Sequence, residues 1–401
     1  MQKIIMHIDM NSYFASVEQQ ANPFLRGVPV AVCAYLSPRG CIVASSTEAK
    51  ILGIKTGMRV ADAQKIFPKT IFLENEPAKY RSVTKKIFSI FSDYTDHMEP
   101  YSIDEAFLDL TNFSPLSFNS SPTGGEERPN KLPRPFVGEG WGEGKINNND
   151  FQSAHAIALE IKQRIQKEVG EWLKCSIGIS YTRWLAKFAG DRAEKNTIFI
   201  LTPEILEKTL SCAKLTDAWG IGSRIGYHLN QMGIRTLLDL KRHPVQNLMQ
   251  ALGKMGYFLW ANVNGIEIEG VKCGWDIAPK SIGHSYCIPN KTTDLKYLRA
   301  ILMKLCEKTG QRLRNKSLEA KNISAGLSYV SEGGRYKSMK TPEHIFDTPS
   351  IFRYANSLLF SNPLTDRVKM LAISVSGLIE PTNQLSFFSN TITKKNLARA
   401  C

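Results

Sequence analysis

The chain has 401 residues, 43% of them hydrophobic and 22% charged, the balance of a globular protein with room for about two to four domains. Its eight cysteines form no CxxC pair and no Cys/His cluster at zinc spacing, which argues against a disulfide framework or a structural zinc and for reduced thiols. No stretch approaches the ~18 apolar residues of a membrane span, and the first residues lack a secretory pattern, so a cytoplasmic protein with no membrane partner is expected. The formal charge of +14 is uneven: residues 281–401 carry 18 Lys and Arg against 8 Asp and Glu, while the other 280 are nearly neutral. A basic C-terminal third suits a module that holds a polyanion, or a merely soluble basic surface.

In chain order, Lys3–Asp9 reads as a buried strand ending on an acid. Ser12–Ala21 follows as a short helix stopped by Asn22-Pro23. Strands at 28–33 and 41–45 and short helices at Thr47–Leu52 and Ala61–Phe67 make a small α/β unit. Val83, Ile87, Ile90, Phe91 and Tyr94 fall at helical spacing in 79–94, and a hairpin over Glu99–Leu110 comes next. Gly, Pro, Asn and Ser supply 21 of the 39 residues of 112–150, too polar a segment to offset ordering entropy, so it reads as a disordered insertion. A helix marked by Ile157, Ala158, Ile161 and Ile165 and a strand at Cys175–Ser180 then complete a split βαβ sheet. Residues 190–275 read as helical with Gly-rich turns. From Lys280 the order is β-α-β-β-α-β, with Leu298, Ile301, Leu302 and Leu305 facing inward from its first helix, followed by a tail.

Asp9 ends the first strand and Asp104-Glu105 lie in the hairpin. If the strands are neighbours, three carboxylates converge, an arrangement that a divalent cation neutralises. Oxygen ligands without His or Cys suit Mg²⁺ or Mn²⁺, and two such ions would serve nucleotidyl transfer to a primer 3′-hydroxyl. An isolated Asp-Glu pair is also a common turn element.

The words HIDMNSYFASVE, ASSTEAKILGIKTGM, YSIDEAFLDL and SIGISYTRWLAKFAGD, in this order and spacing, resemble the Y-family DNA polymerases, most nearly the DNA polymerase IV (DinB-like) branch. The resemblance covers the chain apart from 112–150. It implies an α/β multi-domain right hand. The palm, a ferredoxin-like sheet, would take 1–22 and 78–188, small fingers 23–77, and a helical helix-hairpin-helix thumb 189–275. A linker at 276–280, a βαββαβ little finger at 281–380 and a tail at 381–401 would follow. It implies Asp9, Asp104 and Glu105 as catalytic metal ligands, with the Met10 carbonyl completing one site. Phe14 falls at the steric gate, where a rigid ring would clash with a 2′-hydroxyl, and Tyr13 would line the same pocket. Primer-template DNA and deoxynucleoside triphosphates are the implied substrates, and a monomer performing error-prone translesion synthesis is expected.

The triphosphate contacts depart from the family. Thr47 and Lys50 stand where a Tyr and an Arg are usual, so a hydroxyl and a charge remain without bidentate geometry. A family Lys aligns with Glu194, so either the adjacent Lys195 takes over its role or the triphosphate goes without that cation; Asn11 also replaces a frequent Asp. Trp219-GIGSRIG-Tyr227 reads as a helix-hairpin-helix in which Gly220 and Gly222, with Arg224 beside them, grip a DNA phosphate without sequence readout, or as a tight interhelical turn. Gln384, Leu385, Ser386, Phe387 and Phe388 resemble the peptide with which these polymerases dock on the bacterial sliding clamp. A nucleotide cyclase shares a palm-like sheet with carboxylates but has no duplex to hold. A catalytically impaired relative that occupies DNA or the clamp is motivated by Thr47, Glu194 and the insertion, and opposed by the intact Asp9, Asp104, Glu105 and Phe14.

Overall fold

The computed structural model describes residues 3–111, 149–274 and 279–381. The chain divides into two units, 1–275 and 276–401.

In the first unit, strand β1 (Ile5–Met10) leads into helix α1 (Tyr13–Ala21) through Ser12, whose φ of 51° turns the chain sharply. A small sheet follows: β2 (Val30–Cys33) pairs antiparallel with β3 (Ile42–Ser45) and parallel with β4 (Ile71–Glu74), beside α2 (Thr47–Ile51) and α3 (Val60–Ile66). β4 was not anticipated from the sequence, because four residues with no alternation carry little periodic signal. Next come α4 (Pro77–Ser92), the hairpin β5 (Met98–Pro100) and β6 (Glu105–Asp109), α5 (Asn149–Arg164), β7 (Cys175–Ser180), α6 (Arg183–Arg192) and β8 (Ile198–Ile200). The five-stranded sheet runs β5-β6-β1-β7-β8, with β1 central and antiparallel to both neighbours. β8, parallel to β7, corrects the helical reading of 190–275 at its start.

Side chains alternate across β1, and the two faces differ in kind. Met6, Ile8 and Met10 enter the main core with Ile87, Phe88 and Phe91 of α4 and Ile157, Ala158 and Ile161 of α5. Ile5 packs on the opposite face with Phe107 and with Ala186 of α6. His7 and Asp9 share that second face by register, opposite Phe107 and Glu105. Gly178 of β7 has no room for a Cβ, which would meet Gly190 N at 2.1 Å and Ala186 O at 2.2 Å, so α6 lies directly on the strand. The unit continues with α7 (Pro203–Ser211), α8 (Ser223–Gln231), α9 (Leu237–Arg242), α10 (Val245–Leu252) and α11 (Lys254–Val263) around a separate core that includes Leu206, Leu229, Leu240 and Leu259.

The second unit is β9 (Ser281–Thr292), α12 (Leu295–Asn315), β10 (Glu319–Tyr329), β11 (Gly334–Ile345), α13 (Thr348–Phe360) and β12 (Val368–Ile379). Its sheet order is β11-β10-β12-β9. Leu298, Leu302 and Leu305 of α12 are buried against it, with Ile301 at the margin.

Candidate active site

The end of β1 and the start of β6 build the site. Asp9 and Glu105 are register partners, and the Met10 N–H donates to the Asp104 carbonyl at 3.0 Å, so all three acids meet at one end of the sheet. The burial of this cluster drives its electrostatics. Desolvation, followed by the charges of Asp104 and Glu105, pushes the Asp9 carboxyl up to about 7. Burial also raises Asp104, against a hydrogen bond from the Ser102 hydroxyl. Glu105 goes the other way. Burial works to raise it, but hydrogen bonds from His7 Nε2 (3.0 Å) and Lys187 Nζ (2.8 Å), both on Oε2, carry it down to about 2.

His7 and Lys187 were not singled out from the sequence. The period of β1 puts His7 on the Asp9 face, which was a usable signal; Lys187 arrives from α6, 82 residues beyond Glu105, and local sequence holds no trace of that approach. Among the described residues no group of three His, Cys, Asp or Glu side chains is arranged to hold a metal ion. Glu105 is drawn to Lys187 and His7, and Asp104 to Ser102.

Around the carboxylates lie cations. Lys195 lowers the Asp9 carboxyl through its charge, and it opposes the charged form of Lys50 as well, whose pKa burial depresses first. Lys195 is therefore near enough to Asp9 and Lys50 for its charge to act on both. Glu194 contributes its carbonyl to the turn instead, accepting from Ser176 Oγ at 3.0 Å and Thr197 Oγ1 at 2.8 Å. Lys50 Nζ donates to Ser12 Oγ at 2.8 Å. Thr47 and Lys50 stand three residues apart on α2, capped by Ser46, and so share an exposed face.

Phe14 is half-buried and stacks on Tyr80 with ring centroids 4.3 Å apart. Tyr13 does not join it in a pocket. Its ring is buried in the core and its hydroxyl donates to the Tyr80 carbonyl at 2.9 Å and meets Thr84 Oγ1 at 2.8 Å. Consecutive helical residues diverge by about 100°, so only one of the two faces outward.

Gly220 requires its glycine, with φ at +95°, whereas Gly222 has ordinary backbone and open space where a Cβ would stand. Gly222, Ser223 and Arg224 are exposed at the start of α8, which no side chain caps. Gln384, Leu385, Phe387 and Phe388, and the stretch 112–148, lie outside the described residues.

Residues 8–191 match the impB/mucB/samB family and residues 279–387 match the C-terminal domain of that family. DNA polymerase IV of Listeria monocytogenes serotype 4b (strain F2365) is 30% identical over 376 residues, covering 93% of this chain and 95% of the relative. DNA polymerase IV 2 of Bacillus subtilis (strain 168) is 29% identical over 99% of this chain and 90% of its own length. The solved structure of a Y-family DNA polymerase chimera superposes with a TM-score of 0.75 at 23% identity, over 94% of this chain and all of that one. With three acids gathered at the end of a ferredoxin-like sheet, and with these likenesses along nearly its whole length, the chain belongs to the Y-family of DNA-directed DNA polymerases, in the DNA polymerase IV branch.

Proposed function

We propose that this polymerase extends a primer 3′-hydroxyl by two-metal nucleotidyl transfer, in error-prone synthesis across damaged templates. One observation carries the mechanism: Asp9, Asp104 and Glu105 meet at one end of the sheet, where burial first and their mutual charge second hold Asp9 up to about 7, and a divalent cation relieves both. The donor set fits such an ion, being oxygen only, as Mg²⁺ or Mn²⁺ prefers. Asp9, the Met10 carbonyl, Asp104 and Glu105 would hold it. Bound there, two ions would ease deprotonation of the 3′-hydroxyl and stabilise the leaving pyrophosphate.

The chain's own side chains supply the rest. His7 and Lys187 both bond Oε2 of Glu105, and no other hydrogen bond to that carboxyl is formed among the described residues, so Oε1 remains to accept a cation. Lys195 and Lys50 supply positive charge for a triphosphate, and Thr47 a hydroxyl, which makes up in part for the family's absent Tyr and Arg. The half-buried ring of Phe14, braced by Tyr80, forms the floor beneath the sugar. The exposed residues Gly222 and Ser223 at the start of α8, with Arg224, suit a DNA phosphate. On this reading residues 1–22 and 78–188 are palm, 23–77 fingers, 189–275 thumb and 281–380 little finger, and 384–388 dock on a sliding clamp.

Primer extension on an undamaged template with Mg²⁺ and deoxynucleotides, run beside Asp104→Asn and Glu105→Gln, tests the mechanism. Extension by the wild type alone, with DNA binding intact in both variants, is the expected result. Wild-type rates in either variant would remove that carboxylate from the metal site. A folded, DNA-binding wild type that extends nothing would favour the impaired-relative reading.

A further inference from the structure

Two polar side chains with no part in the mechanism above end on the same turn, residues 194–197. Asn11 is buried just past β1. Its Oδ1 accepts the N–H of Asn196 at 2.8 Å, and its Nδ2 donates to Ser176 Oγ at 3.0 Å. Ser176, also buried, donates in turn to the Glu194 carbonyl at 3.0 Å. Lys162 of α5 reaches this turn as well: its Nζ donates to the backbone carbonyl and, at 2.9 Å, the side-chain oxygen of Asn196, and to the Cys175 carbonyl at 3.1 Å.

This is a costly way to close a turn. Lys162 is half-buried, and its ammonium has three neutral oxygens but no carboxylate for a partner among the described residues. A cation drawn out of water without a counter-ion costs more than an apolar side chain of similar size. Asn196 is held in the left-handed region, with φ at 63°. A fully satisfied polar network of this kind fixes one geometry where an apolar contact would tolerate several. The residue whose geometry it fixes is Lys195, exposed between Glu194 and Asn196, with its charge reaching Asp9 and Lys50.

We infer that Asn11 and Lys162 are positioning residues that lock the 194–197 turn so that the Lys195 ammonium meets the incoming deoxynucleoside triphosphate. The inference rests on Lys195 being a triphosphate contact. Because Asn11 lies two residues past Asp9, the backbone that sets the carboxylate also sets the turn, and the two halves of the nucleotide site stay in register. Asn also suits the position in a way Asp does not, since it both accepts from Asn196 and donates to Ser176.

The test is steady-state single-nucleotide primer extension with Asn11→Ala, Lys162→Met, Lys195→Ala and the two doubles with Lys195→Ala, with melting temperature followed throughout. Lys195→Ala should raise KM for the nucleotide about ten- to a hundredfold, the loss of one charge-assisted hydrogen bond. Asn11→Ala and Lys162→Met should each raise KM by about tenfold, within that range, and leave kcat within about twofold. Each double should then be no worse than Lys195→Ala alone, because residues acting through one group are not additive. If Lys195→Ala raises KM while the other two do not, or if the effects multiply, the positioning role is refuted and Lys195 keeps its own. An unchanged KM in Lys195→Ala overturns the triphosphate assignment and the inference with it. Lys162 belongs to a different element from Asn11, so either variant carries the test if the other fails to fold.

Discussion

Asp9 makes the stability of the metal-free enzyme depend on pH in an unusual direction. Its carboxyl is raised from 3.8 to about 7, so the folded state holds a proton that the unfolded chain has released. For such a group, folding is favoured below the unfolded value and loses stability as pH climbs from about 4 to about 7. A shift of about three units at 1.36 kcal/mol each sets a ceiling of about 4 kcal/mol on that loss. Asp104 is raised too and adds in the same direction. Glu105, lowered to about 2, is ionised across the whole window; its contribution, present above the ordinary carboxylate range, is lost only as pH falls toward 2. Burial lowers His7, His155 and His284, which add stability as pH rises toward 6.5 and oppose this trend. The Asp9 contribution is therefore read by difference: in urea denaturation in EDTA between pH 4.5 and 8, the wild type should lose stability relative to Asp9→Asn as pH rises. Mg²⁺ should restore the wild type at pH 8 by mass action. A difference between wild type and Asp9→Asn that does not change with pH would mean that Asp9 is not buried among the acids as described.

Phe14→Ala should raise ribonucleotide incorporation relative to deoxyribonucleotide, read as a ratio of kcat/KM values; an unchanged ratio would take Phe14 out of the gate role. Arg183→Met should lower the stability of the first unit by about 3–5 kcal/mol, since it leaves the buried Glu99 without its two-pronged partner at 2.8 and 2.6 Å and removes a guanidinium 4.3 Å from the Phe107 ring. Pairing it with Glu99→Gln should recover part of that loss, and a chemical melt of the two variants and their double reads the coupling.

The carboxylates were legible in the sequence because β1 and the hairpin declare themselves through alternation and turn chemistry, and strand pairing does the rest. Lys187 and Lys162 were not, since each reaches its partners across a crossover and nothing local marks the approach. Aligning Glu194 with a family Lys left the charge in doubt; the turn engages Glu194 through its carbonyl, and the charge of Lys195 lowers the Asp9 carboxyl. Tyr13 misled because adjacency in sequence was taken for adjacency in a pocket, and a helix separates neighbours. In the second unit the element order β-α-β-β-α-β was readable, but not that β12 enters between β10 and β9, because pairing order has no periodic signature.

That placement of β12 bears on how the second unit comes into being. On the ribosome, the β10–β11 hairpin can close as soon as it emerges, but β9 has no neighbour until Val368–Ile379 has been made. Until then the inner edge of β10 and the whole of β9 stand as open strand edges beside α12 and α13, a state prone to sticking to other chains. Closure of this sheet thus waits until Val368–Ile379 has been made. A frameshift or cleavage before Val368 would remove the centre of the sheet rather than trim its margin.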